Sequence, residues 1–161
     1  MEKISSLIPT LNVSALQSRD RAITFVEGDG YSWSPTATTI TYIDSASPED
    51  IATFLHEVVH ALCGHASFSS GVELIAMEQE AWAKGVELAD SLAISIAPET
   101  VETNLDTYRD WLHSRSLCPT CAATGIETTL NHFSCLACHS TWRANEARLC
   151  ALRRYKTQKT P

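Results

Sequence analysis

No stretch of this chain comes near the roughly 20 consecutive apolar residues that a membrane-spanning helix needs. Its first residues also break their apolar character at Ser5, Ser6, Pro9, Thr10 and Asn12, unlike a secretory leader. The first absence excludes a helical membrane anchor, and the second leads to the expectation of a soluble protein kept in the reducing cytoplasm. No internal repeat or low-complexity tract is present. The 161 residues suffice for one compact domain with a real core and a small accessory module, but not for two large domains. Positive charge is scarce: 12 Lys and Arg stand against 19 Asp and Glu, for a net charge of -7. It is also unevenly spread, because residues 141–161 carry +5 and residues 1–140 carry -12. The basic end, with Arg143, Arg148, Arg153, Arg154, Lys156 and Lys159, reads first as a solvated tail and second as a nucleic-acid contact.

Against this background His56-Glu57-Val58-Val59-His60 stands out. On a helix, positions i and i+4 share a face, so His56 and His60 can grip one metal while Glu57 lies beside its bound water, the arrangement of a zinc hydrolase. The flanking residues supply the helix. Ser47 is an N-cap, Pro48 suits the first helical position, and Glu49 and Asp50 complement the positive end of the helix dipole. Ile51, Leu55, Val58, Val59 and Leu62 form an apolar stripe, and Gly64 is a stop signal, so a helix is expected over 48–63.

Residues 1–20 suggest a short helix and a loop, from Ile4, Leu7, Ile8, Leu11 and Leu16. Arg21–Glu27 and Thr38–Ile43 read as strands of a small antiparallel sheet, with Thr39–Tyr42 as an edge strand that can accept a peptide. A second long helix is expected over Val72–Ala97 and a third from Pro98 to Ser114.

Catalytic zinc takes three protein ligands, so a third is needed. Cys63 lies about 10.5 Å along the axis from His56, too far to converge with both histidines, and reads as a packed thiol. His65 follows Gly64, and a sharp turn could return it. On the second helix Glu73, Glu80 and Glu87 share one stripe, whereas Glu78 is rotated by about 200° from Glu80. Small neighbours Ala76, Ala81 and Ala83 favour a close approach in the middle of that helix. They select Glu80 and leave Glu78 on a solvated face, with Glu73 and His65 as alternatives. His65, Tyr108 and His113 are candidates to stabilise an oxyanion.

Taken together, His56-Glu57-Val58-Val59-His60-Ala61-Leu62-Cys63-Gly64-His65 and the later Glu78-Gln79-Glu80-Ala81-Trp82-Ala83 resemble the ImmA/IrrE-type metallopeptidases, which are gluzincin-like, over roughly residues 20–97. The resemblance implies a small twisted sheet beside a helical bundle, with the site between them. It implies His56, His60 and Glu80 as zinc ligands and Glu57 as general base; many members of that family act in the cytosol on transcriptional regulators, but the substrate does not transfer to this chain. The chain departs from that family at Lys84-Gly85, at Ile94-Ser95-Ile96-Ala97-Pro98 and in its terminal cysteines. SprT-like proteases resemble it in joining HExxH to a terminal zinc ribbon, and they bring nucleic acid in as an alternative partner.

Cys118-Pro119-Thr120-Cys121 and Cys135-Leu136-Ala137-Cys138 are two CxxC knuckles, and four thiolates suit one structural zinc. Residues 125–133 read as a hairpin between them, giving a zinc ribbon dependent on its metal. Trp142–Tyr155, with Cys150, reads as a helix. The expected architecture is therefore α+β: a zincin-like domain over 1–116, a ribbon over 117–142 and a basic C-terminal helix or tail over 143–161. It would hold two zinc ions, one catalytic and one structural. The expected function is a zinc endopeptidase acting on a protein or peptide, with a non-catalytic metal-binding regulator as the alternative.

Overall fold

The structure is a computed structural model that describes residues 3–11, 17–18 and 21–157, with only the backbone at 17, 18 and 21. Leu16 and Lys159 lie outside them. Among the described residues the fold is α+β, with four α-helices and three small sheets. They form two compact units, one of Met1–Ser67 with Met77–Glu102, the other of Phe68–Ala76 with Thr103–Pro161.

The first unit opens with helix α1 (Ile4–Leu7) and a 3-10 turn (Ile8–Thr10). Ile4, Leu7 and Leu11 are buried in its core. Two-residue strands β1 (Gln17–Ser18) and β2 (Arg21–Ala22) pair antiparallel. Strands β3 (Thr24–Glu27), β4 (Ser32–Ser34) and β5 (Thr39–Tyr42) form a sheet of order β3-β5-β4. This sheet is mixed and not wholly antiparallel, because β3 pairs parallel with β5 while β4 pairs antiparallel with it. The strand expected at the edge, Thr39–Tyr42, is therefore central. Its burial explains the position: Ile40 and Tyr42 face the core, where Tyr42 packs edge-on to Phe54 at 5.7 Å between ring centroids. Strands β3 and β4 are the outer ones.

Helix α2 (Pro48–Cys63) keeps the expected bounds, and the Ser47 hydroxyl accepts the Asp50 amide at 3.1 Å as its N-cap. Ile51, Phe54, Leu55 and Val58 fill the core between the helix and the sheet. Leu62, placed in the apolar stripe by sequence, is 41% exposed. Helix α3 (Gly71–Ser91) stops six residues before the expected end, where Leu92 and Ala93 turn the chain and Ala93 takes a positive φ of 58°. From Met77 onward it buries Glu78, Ala81, Trp82, Gly85 and Ala89, a single helical face.

The second unit contains the later turns of helix α4 (Pro98–Ser116) and the antiparallel sheet β6 (Ile126–Thr129), β7 (His132–Ser134), β8 (Thr141–Ala144) and β9 (Arg154–Thr157). The expected hairpin is β6–β7. The expected helix over Trp142–Tyr155 is not formed: β8 and β9 pair across this segment, and residues 145–153 are non-helical. Trp142 explains the change. It stacks on Phe133 at 5.5 Å and donates its indole N–H to the Arg115 carbonyl at 3.0 Å, which holds its backbone beside β7. Arg115 is fully buried, its guanidinium 4.2 Å from the Trp111 ring centroid and bonded to Asn131 and the Asn145 carbonyl. The unit thus has an aromatic core of its own and extends on both sides of residues 117–142.

Candidate metal centres

The two imidazoles of α2 meet as the HExxH spacing requires. His56 Nε2 and His60 Nε2 are 2.9 Å apart, and both side chains are buried. The carboxylate that joins them is that of Glu78, with Oε2 at 3.1 Å from His56 Nε2 and 3.5 Å from His60 Nε2. Glu80 does not join them. It is directed outward, 3.2 Å from His65 Nε2 and 2.6 Å from Lys84 Nζ. The sequence choice of Glu80 over Glu78 is corrected by helical phase: Ala81, Trp82 and Gly85 lie on the buried face with Glu78, whereas Ala76 and Ala83 are exposed and mark no close approach. Gly85 passes so near α2 that an added Cβ would lie 3.8 Å from His56 Cα. Glu73, the other alternative, accepts the Ser69 amide and hydroxyl at 2.6 Å each, within the second unit.

Two imidazole nitrogens and a carboxylate oxygen gathered this closely form a candidate donor set for one metal ion. A tetrahedral zinc with bonds of about 2.0–2.1 Å has ligand-to-ligand edges of about 3.3–3.4 Å. The observed 2.9, 3.1 and 3.5 Å bracket that value, so these residues fit one ion. Glu78 is ionised at neutral pH: burial opposes its charge, but the hydrogen bonds and charges of His56 and His60 outweigh it and bring its pKa down to about 2. His56 stacks on Trp82 at 4.4 Å.

Glu57 lies on the adjacent side of α2 and accepts the Trp33 backbone N–H at 2.6 Å. Trp33 sits in β4, and its indole N–H donates to the His65 carbonyl at 2.8 Å. Sequence reading overlooked Trp33, and an isolated aromatic between two serines carries no signal of such a role. Of the proposed oxyanion groups, His65 belongs to the first unit, while Tyr108 and His113 belong to the second.

Gly64 returns His65 to the site. It takes φ 68° at the end of α2, and the following amide bonds back to the His60 carbonyl at 3.0 Å, a left-handed helix stop. This leaves His65 Nδ1 2.8 Å from His60 Nδ1. Burial holds His65 below the usual imidazole range, against the opposing hydrogen bond to the Glu80 carboxylate. A Gly64→Ala substitution should cost about 1–2 kcal/mol from the left-handed conformation alone. Chemical denaturation of the two proteins checks this value.

The four cysteines of the second unit also converge. Cys118 Sγ to Cys138 Sγ and Cys121 Sγ to Cys135 Sγ are each 3.6 Å, and all four sulfurs lie within 4.8 Å of one another. A tetrahedral zinc with sulfur bonds of about 2.3 Å has edges of about 3.8 Å, so this set fits as well. The two knuckles are built alike. The Ala122 amide bonds to the Cys118 carbonyl at 2.9 Å and the His139 amide to the Cys135 carbonyl at 3.0 Å, and both residues after the knuckles have positive φ. Cys150 is exposed and accepts from Asn145 Nδ2 at 3.3 Å.

No known family, no curated protein and no solved structure matches this chain.

Proposed function

We propose that the protein is a zinc-dependent endopeptidase whose catalytic ion is held by His56, His60 and Glu78, with Glu57 as general base. The observation that carries this reading is the convergence of two Nε2 atoms and one carboxylate oxygen beside a second, separately held carboxylate. Zinc in such a set supplies an acidified water and polarises a carbonyl oxygen. Glu57 takes the proton of the attacking water and returns it to the leaving amine. The Trp33 N–H fixes one Glu57 oxygen, so the base is aimed before substrate arrives. Strand β4 is the outer strand at Glu57, and an extended substrate pairs there by adding a strand to the sheet. This replaces Thr39–Tyr42 in the role expected for it.

The four cysteines bind a second zinc with a structural role, a reading supported by an all-sulfur donor set and knuckle geometry. The substrate is a protein presenting an extended segment, and the compartment is the reducing cytoplasm.

Glu57→Gln is the direct test, because glutamine keeps the side-chain shape and can still accept the Trp33 amide. Assayed against a fluorogenic peptide library, the variant should retain two zinc ions per chain and lose about 10²–10⁴-fold in turnover. Undiminished hydrolysis would overturn the assignment.

A further inference from the structure

We propose that His65 and Glu80 form an outer relay that orients His60 and strengthens it as a metal ligand, both being positioning residues and not ligands. The inference rests on the reading of His56, His60 and Glu78 as a metal site.

The argument is one of proton accounting. A neutral imidazole carries one proton and one lone pair on its two nitrogens. His60 turns Nε2 toward His56 and Glu78, so when Nε2 ligates, its proton resides on Nδ1. The atom facing that proton is His65 Nδ1, 2.8 Å away. It must accept, which leaves the His65 proton on Nε2. That nitrogen faces Glu80 Oε2 at 3.2 Å, an atom that can only accept. Every group from His60 to Glu80 then donates in one direction, without a clash of protons or of lone pairs. The far end is fixed as well, because Lys84 Nζ donates to Glu80 Oε1 at 2.6 Å. His65 is held from its own backbone, its amide bonded to the His60 carbonyl and its carbonyl to the Trp33 indole.

The same accounting disposes of the competing use of these residues. Cys63, His65 and Glu80 offer three donor atoms within 4.8 Å and could hold an ion of their own. For His65 Nε2 to ligate there, its proton would have to move to Nδ1. Two protons would then lie between nitrogens only 2.8 Å apart. Occupation of the first site thus turns His65 away from the second. Lys84 Nζ, 3.5 Å from Cys63 Sγ and 2.6 Å from Glu80 Oε1, already supplies a cation to that cluster. Among the described residues His56 receives no such support, since its buried Nδ1 has no hydrogen-bond partner there.

Outer hydrogen-bond partners of ligating histidines are generally worth ten- to a hundredfold in metal affinity. The experiment uses the full chain loaded with zinc alone, titrated against a competing chelator, together with long-range proton–nitrogen spectra of the imidazole rings. The expected spectrum has His60 protonated at Nδ1 and His65 protonated at Nε2. His65→Leu and Glu80→Ala should weaken binding at the histidine site by about 10–100-fold and leave uptake by the four cysteines unchanged. His65→Gln should restore much of the loss, because its amide oxygen accepts from His60 while its NH₂ donates to Glu80. A His65 proton on Nδ1, or undiminished affinity in His65→Leu, overturns the relay while two zinc ions per chain still uphold the metal site. Uptake by the cysteines alone, unaffected by His56→Ala, overturns the site and the relay together.

Discussion

Glu78→Ala is expected to empty the histidine site, with a loss of zinc affinity well beyond the roughly ten- to hundredfold set by outer partners. Glu78 is the only carboxylate within 3.5 Å of both imidazole Nε2 atoms among the described residues, and it is ionised despite its burial. Removing it leaves two imidazoles facing each other at 2.9 Å with no negative charge to offset a divalent cation. Glu80→Ala removes a half-exposed group whose nearest partners are Lys84 and His65, so its effect stays within the outer range. Chelator competition on the two variants separates the assignments: a larger loss in Glu80→Ala than in Glu78→Ala would return the ligand role to Glu80. Activity should follow occupancy, so hydrolysis in Glu78→Ala should fall with the metal and recover only at zinc concentrations that refill the site.

The choice between these two glutamates shows how far the sequence could be read. Helical phase correctly placed Glu78 and Glu80 on different faces, but the deciding cue was misjudged. Small residues at 76, 81 and 83 span more than one face, whereas Trp82, four residues after Glu78, marks the buried side. An acidic residue within an apolar stripe is costly unless paired, and that cost was the available signal. Local chemistry was legible elsewhere: Ser47, Pro48 and Gly64 bounded α2 because capping acts within a few residues. Strand partners were not legible. The central position of β5 depends on parallel pairing with β3, and the strand character of Thr141–Ala144 depends on Trp142 meeting Phe133 and Arg115. Both are contacts between distant residues, to which hydrophobic spacing is blind. The basic residues looked helical for the same reason: Arg154 and Lys156 occupy alternate positions of β9, whose exposed side chains leave no apolar alternation to betray a strand.

Withdrawing metal from the four cysteines should unfold the knuckles and the β6–β9 sheet while α2 keeps its structure. Four sulfurs within 4.8 Å cannot all carry charge unaided. The titration of the set reflects this. The Ser140 hydroxyl and amide hold Cys138 down to about 6, while Cys121 rises to about 12 because the neighbouring sulfurs of Cys138 and Cys135 outweigh the lowering by the Ala123 amide. At pH 7 the empty set therefore keeps a proton on Cys121, and zinc must displace it. Binding should release protons and weaken as pH falls, most steeply once Cys138 also protonates below about 6. Without the ion, the buried Cys118 and Cys135 lose the link between their knuckles, although Phe133, Trp142 and Arg115 still offer a small aromatic core. Hydrogen exchange on Cys135→Ser, or on the parent protein with a strong chelator, measures the outcome directly. Amides of β7 and β8 should exchange at rates near those of an unfolded chain, and those of Phe54–Val59 should remain protected. Full protection of β7 and β8 in the metal-free protein would mean that the aromatic core alone suffices and that the cysteines serve another purpose.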